Sequence, residues 1–184
     1  AHPDQVTSAV LSADGTKLLT GCTDKQVRLW NLTTGMVERP FAGNTLAVNA
    51  VALSADGSKV AAGGADKSLT VWTAADAKEI KKFGDLPGAV LSVAFSPDGK
   101  VVAAGLADNS IQLFDLTTLT AGKKIAGHTG PVNAVLYNAK GDRLLSASAD
   151  KTVQVWDVAD GSSKAKLDHL SLIHISEPTR QAEI

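Results

Sequence analysis

A chain of 184 residues with 44% hydrophobic content is long enough to bury a sizeable core, yet only 4% of it is aromatic, so small aliphatic side chains must fill that core. The formal charge of −1, with no basic block and no aromatic–basic interleaving, gives no footprint for a nucleic-acid partner. No apolar run is long enough to span a bilayer, and Cys22, the single cysteine, can staple nothing within the chain and reads as core filler.

In chain order, short apolar runs near 6–12, 17–22 and 26–31 predict three strands. The third shows the period-two alternation of a strand in Gln26, Val27, Arg28, Leu29 and Trp30. Ala13-Asp14-Gly15 joins the first two, glycine supplying the positive φ of a tight hairpin and Asp tying its own backbone. Thr23-Asp24-Lys25 builds the second hairpin, and a weaker fourth run, Met36–Phe41, follows. The pattern then recurs at an interval of 42 residues in Trp30, Trp72, Phe114 and Trp156, in Gly15, Gly57, Gly99 and Gly141, in Asp24, Asp66, Asp108 and Asp150, and in Val6, Val48, Val90 and Val132. The turns vary within it: Ala55-Asp56-Gly57 and Pro97-Asp98-Gly99 keep the acid, while Lys140-Gly141 loses it. A fixed period of this length signals stacked units that bury their faces against one another. Each unit reads as a four-stranded antiparallel meander, the size of one propeller blade. Ala61-Ala62-Gly63-Gly64 and Ala103-Ala104-Gly105 place small residues in the second strand, where a wedge-shaped blade has little room near the axis.

These residues resemble the WD-repeat β-propeller family. Its closing dipeptide stands as Trp156-Asp157, is varied to Phe114-Asp115 and Trp30-Asn31, and is degraded to Trp72-Thr73. Its opening Gly-His stands once, as Gly127-His128, with Ala1-His2 a remnant and Gly43-Asn44 a variant. The resemblance implies a hydrogen-bonded chain of His, Ser or Thr, Asp and Trp inside a blade. By position these are His2, Thr20, Asp24 and Trp30 in the first unit and His128, Ser146, Asp150 and Trp156 in the fourth. The second unit offers Asn44, Ala62, Asp66 and Trp72 and the third Leu86, Ala104, Asp108 and Phe114, so neither can form the chain as such. The His, hydroxyl and Asp grouping is read as structural, since a Ser-His-Asp triad needs a solvent-reachable nucleophile beside an oxyanion site.

The resemblance covers residues 2–169, in units of about 2–43, 44–85, 86–127 and 128–169. The expected fold is all-β, a β-propeller with four four-stranded antiparallel blades present, as a fragment of a ring that in this family has about seven blades. After His169, which takes the opening-His position of a fifth unit, the pattern stops. Leu170–Arg180 is similar to a translated sequencing adapter, so 170–184 is expected to be a non-native tail excluded from fold reasoning. The chain is expected to begin in mid-gene, at the opening His of a unit, which leaves any signal peptide out of view, and the location is cytoplasmic only by default.

Three functions follow as expectations. The first is a protein-interaction scaffold with no catalysis of its own, no cofactor and no metal, since His2, His128, His169 and His174 stand in no metal-ligand spacing. Its partner would be a protein or peptide, without nucleic acid or membrane, besides the missing blades of the same chain. The resemblance implies docking on a top face formed by the loops before the first strand and between the second and third. Gln5, Thr7, Thr23, Asn49, Pro131 and Asn133 occupy that face, small and polar, suited to modest contacts. The second is a propeller appended to a larger bacterial kinase, protease or cytochrome, which flanking sequence with a kinase signature or a C-x-x-C-H motif would reveal. The third is a self-assembling half-propeller, two four-blade halves closing one ring over their open apolar faces.

Overall fold

The computed structural model describes residues 2–168, and every regular element among them is a strand. Blade one holds β1 (Val6–Leu11), β2 (Lys17–Cys22), β3 (Val27–Asn31) and β4 (Met36–Phe41); blade two holds β5 (Val48–Leu53), β6 (Lys59–Gly64), β7 (Leu69–Thr73) and β8 (Glu79–Phe83). Blade three holds β9 (Val90–Phe95), β10 (Val101–Leu106), β11 (Ile111–Asp115) and β12 (Thr120–Ile125); blade four holds β13 (Val132–Tyr137), β14 (Arg143–Ser148), β15 (Thr152–Asp157) and β16 (Ser163–Asp168). Each blade is an antiparallel meander paired in chain order. The architecture is that of β-propeller blades, as the 42-residue period predicts. The tail 170–184 and the His169 position lie outside the described residues.

Turn chemistry fixes each register. In the first hairpin, Asp14 accepts from the Ser12 hydroxyl at 2.5 Å and the Thr16 amide at 3.0 Å, while Gly15 takes a φ of 69° that disfavours a Cβ. The second hairpin of each blade puts a non-glycine residue in the left-handed region, at Lys25, Lys67, Asn109 and Lys151 with φ of 71°, 54°, 73° and 69°. The preceding aspartate offsets that strain by accepting the amide two residues on, as Asp24 does from Gln26 at 2.9 Å and Asp150 from Thr152 at 3.0 Å. Ser12 and Gln26 are thus turn residues, and β1 and β3 are each one residue shorter than the apolar runs predict.

The core lies between blades rather than within them. Leu19, Val27, Leu29 and Phe41 of blade one pack against Val48, Val51, Val60 and Trp72 of blade two. The same register recurs between blades two and three, with Ala61, Leu69, Val71 and Phe83 against Val90, Val102 and Phe114. It recurs again between blades three and four, with Ala103, Ile111, Leu113 and Ile125 against Val132, Val135, Leu144 and Trp156. Small residues allow the approach: a Cβ on Gly63 would stand 2.2 Å from Val90 Cγ1, and one on Gly21 would stand 2.7 Å from Val48 Cγ1.

The first strands β1, β5, β9 and β13 line the inner edge and touch in series. Among the described residues, no comparable contact joins β13 back to β1, so the four blades form an open arc.

Candidate functional site

Blade four assembles a buried polar chain from four elements. Trp156 Nε1 on β15 donates to Ser146 Oγ on β14 at 2.7 Å, Ser146 Oγ lies 2.7 Å from His128 Nε2, and His128 Nδ1 lies 2.8 Å from Asp150 Oδ2 in the β14–β15 turn. Asp150 also accepts the Thr129 amide at 3.0 Å and the Thr152 hydroxyl at 2.7 Å. Burial alone pushes the Asp150 carboxyl up, but these hydrogen bonds outweigh it and hold the group well below the usual carboxylate range. An ionised Asp150 can only accept, so His128 Nδ1 carries the proton; in the neutral ring Nε2 then accepts the Ser146 proton. Ser146 is 2% exposed and His128 7% exposed. A hydroxyl so enclosed, with both its hydrogen-bond directions taken, reaches no substrate.

Blade one brings together three of its four counterparts directly. Trp30 Nε1 donates to Thr20 Oγ1 at 2.7 Å, and His2 Nε2 lies 2.7 Å from the same oxygen. Asp24 does not reach His2. Arg28 stands between them, its Nη1 2.6 Å from His2 Nδ1 and 2.8 Å from Asp24 Oδ2. A guanidinium has only donors, so Nδ1 of His2 must accept and Nε2–H must donate to Thr20, whose own proton goes to the Arg28 carbonyl at 3.3 Å. The two histidines therefore hold opposite tautomers. Burial, followed by the Arg28 charge, pushes His2 below the ordinary imidazole range, with Asp24 opposing.

Arg28 is the residue that motif reasoning misses. Its place is taken by Thr70, Gln112 and Gln154 in the other blades, two positions before the aromatic and on the same side of the strand. That shared side was the available signal.

Blades two and three hold no such chain. Trp72 Nε1 donates instead to the Ala42 carbonyl at 3.1 Å, and Asp66 accepts the Thr45 amide at 3.0 Å and the Ser68 hydroxyl at 2.7 Å. With Ala62 in the hydroxyl position, both polar atoms of the Asn44 carboxamide and the Thr70 hydroxyl are buried without a hydrogen-bond partner. In blade three the chain is replaced by packing, with Leu86 buried and the Phe114 ring 4.6 Å from that of Phe83.

Among the described residues, His2, Cys22 and Asp24 bring ligand-type atoms within 4.8 Å of one another, a grouping that sequence spacing does not reveal. Arg28 lies against both His2 and Asp24, and its fixed positive charge opposes a divalent cation there.

The six top-face positions divide into two sets. Each first strand carries a β-bulge whose extra residue is Thr7, Asn49, Leu91 or Asn133, and a bulge re-aims its side chain. Thr7 Oγ1 donates to the Val48 carbonyl at 2.5 Å and Asn49 Nδ2 to the Val90 carbonyl at 2.9 Å, clamping each blade to the next. Thr23 donates its amide to the Gln5 carbonyl at 2.9 Å, tying the loop ends. The Gln5 side chain is exposed, and Pro131 is half-buried. Asn133 is exposed, and its side chain makes no hydrogen bond among the described residues. Beside the four bulges runs an open groove of about 310 Å³, lined by Thr7, Asn49, Leu91 and Asn133 together with Ala50 and Ala134. No described helix is long and apolar enough to cross a membrane.

A family model described as nucleolar protein 10-like, N-terminal domain, a β-propeller domain, matches residues 3–178. No curated protein matches the chain.

Proposed function

The chain belongs to the nucleolar protein 10-like N-terminal β-propeller domain family, and we propose that it acts as a non-catalytic protein-interaction scaffold that seats an extended peptide along its inner groove. The observation that carries this reading is the groove itself, built from equivalent bulges of all four blades, so that one rigid edge presents side chains at a regular spacing. Its walls combine apolar Leu91, Ala50 and Ala134 with polar Thr7 and Asn49, the mix that peptide-binding surfaces use. The enclosed Ser146 argues for the same reading, since the His128, Ser146 and Asp150 constellation is fully spent on the fold. Gln5, at the approach to β1, is free to contact the bound segment.

A phage-displayed random peptide library selected on the chain tests this. Peptides so obtained should lose about tenfold or more in affinity on Leu91→Arg or Gln5→Arg and bind unchanged to Thr117→Arg, which alters an exposed turn away from the groove. A selection that yields no binders, or binders indifferent to Leu91→Arg, overturns the proposal.

A further inference from the structure

On the end of the blades opposite the Gln5 and Thr23 loops, the first hairpin of each blade stands beside the first hairpin of the next. Between blades two and three the chain itself fills that junction. Lys59, which opens β6, lays its Nζ 3.7 Å from where a Cβ on Gly99 would stand, beside Ser54, and Gly99 is buried. Between blades one and two the junction is open. Gly57, the counterpart of Gly99, has nothing within 4 Å of its Cβ position, and a cleft of about 350 Å³ separates the two turns. Leu29 and Leu53 give the cleft apolar walls, and Ser12, Asp14 and Asp56 carry its polar groups.

One residue makes the difference. Lys17 occupies in blade one the place of Lys59 in blade two, but Glu38 on β4 draws its Nζ to 3.0 Å. The counterpart of Glu38 in blade two is Ile80, which cannot hold a lysine, so Lys59 is free to cross to the next hairpin. Its charge there adds to the Ser54 and Ser58 hydrogen bonds that hold the Asp56 carboxyl well below the usual carboxylate range. Asp14 has no such cation. The Ser12 hydroxyl, then the Thr16 amide and hydroxyl, hold its carboxyl at about 2. All three of those bonds fall on Oδ1, which leaves Oδ2 unspent among the described residues.

We propose that this cleft seats a lysine side chain of a partner protein, its stem against Leu53 and its ammonium on Asp14, in the place that Lys59 takes between blades two and three. Apolar walls below a carboxylate suit a side chain with a long aliphatic stem and a charged head. A compact ammonium matches one free carboxylate oxygen, whereas the arginine fork needs two. The cleft lies between two described blades and shares no lining residue with the inner groove, so it does not rest on the groove reading.

Amide NMR of the isotope-labelled full chain, titrated with the peptide acetyl-Gly-Lys-Gly-amide, tests the proposal, with norleucine in place of the lysine as the uncharged control. The expected result is saturable shifts at Gly15, Thr16 and Gly57 with a Kd of about 1 mM for the lysine peptide alone. Asp14→Asn keeps the turn acceptor and removes the charge, and should weaken binding about fivefold. Blade four forms the same hairpin with Lys140 in that place, so the variant folds. Glu38→Ile should release Lys17 into the cleft and weaken binding by as much, and adding Lys17→Ala should restore it. An absence of saturable shifts, an equal response to the norleucine peptide, or an Asp14→Asn variant that binds as the parent does overturns the proposal. So does a Glu38→Ile variant that Lys17→Ala fails to rescue, since that marks a general pull of negative charge and not a fitted cleft.

Discussion

At the scale of single residues, the same place in two blades runs its proton wiring in opposite directions. In blade four, Trp156 and Ser146 donate toward His128, which donates onward to Asp150; in blade one, Arg28 donates into His2, which donates back to Thr20. Every buried polar side-chain atom of the blade-four chain has a partner, and in blade one the Asp24 Oδ2 atom is met by the Arg28 charge at 2.8 Å, whereas in blade two both Asn44 polar atoms have neither. Histidine and asparagine at this position should therefore respond with opposite signs. His128→Ala leaves the Ser146 hydroxyl proton without an acceptor, at about 1–3 kcal/mol for the group left unpaired, while Asp150 Oδ2 keeps the Thr129 amide. Asn44→Ala removes two buried atoms that have no partner, and should leave stability unchanged or raise it by up to about 1 kcal/mol. Urea midpoints for the two variants check this, and equal losses would refute it. Asp66 offers no such contrast with Asp150, because Thr45 and Ser68 supply it with the hydrogen bonds that the missing histidine does not. The His, hydroxyl, Asp and Trp positions were legible through the resemblance to the WD-repeat family, carried onto this chain by position; the period alone marks the Asp and the aromatic, since His and hydroxyl stand only in the first and fourth units. Arg28 was not, since alternation alone marks it as one more polar residue of a strand, and only the fold brings its guanidinium between His2 and Asp24.

At the scale of strands and blades, the repeat made the hairpins, the four-strand count and the inward small residues readable, because turn chemistry and apolar alternation act locally. The bulges at Thr7, Asn49, Leu91 and Asn133 were not readable. An extra residue is defined only by the partner strand that skips it, and all four units share it, so the period stays intact. That is why Thr7 and Asn49, which sequence places on an interaction face, turn out to hold neighbouring blades together. The left-handed lysines escape for a similar reason: nothing in Thr23-Asp24-Lys25 forbids a glycine there, and the aspartate hydrogen bond lets lysine take its place. Blade approach is then controlled by the second strand. Gly63→Ala, whose methyl would stand 2.2 Å from Val90 Cγ1, should cost about 1–3 kcal/mol by forcing β6 and β9 apart. Gly84→Ala has open space around its Cβ and no left-handed φ, so it should change stability by less than about 0.5 kcal/mol. Chemical denaturation of the pair separates a packing constraint from a general preference for glycine.

At the scale of the whole molecule, the arc is a one-dimensional array in which each blade is stabilised by its neighbours and not by distant ones. The number of units could be counted in the sequence, but not whether they close, because closure depends on the angle between successive blades and no local pattern encodes it. The consequence is a gradient of stability along the chain. β6 and β10 have five of six residues buried and lie in blades flanked on both sides, whereas every residue of β16 is exposed and β4 buries only Phe41. Amides open locally at a cost set by the contacts that opening must break. Hydrogen exchange should therefore be slowest in β6 and β10 and fastest in β16 and β4. Protection should fall from blades two and three toward the arc's two edges. Uniform protection across the four sheets would mean that the arc melts as one unit, and that its exposed edges are stabilised by something other than neighbouring blades.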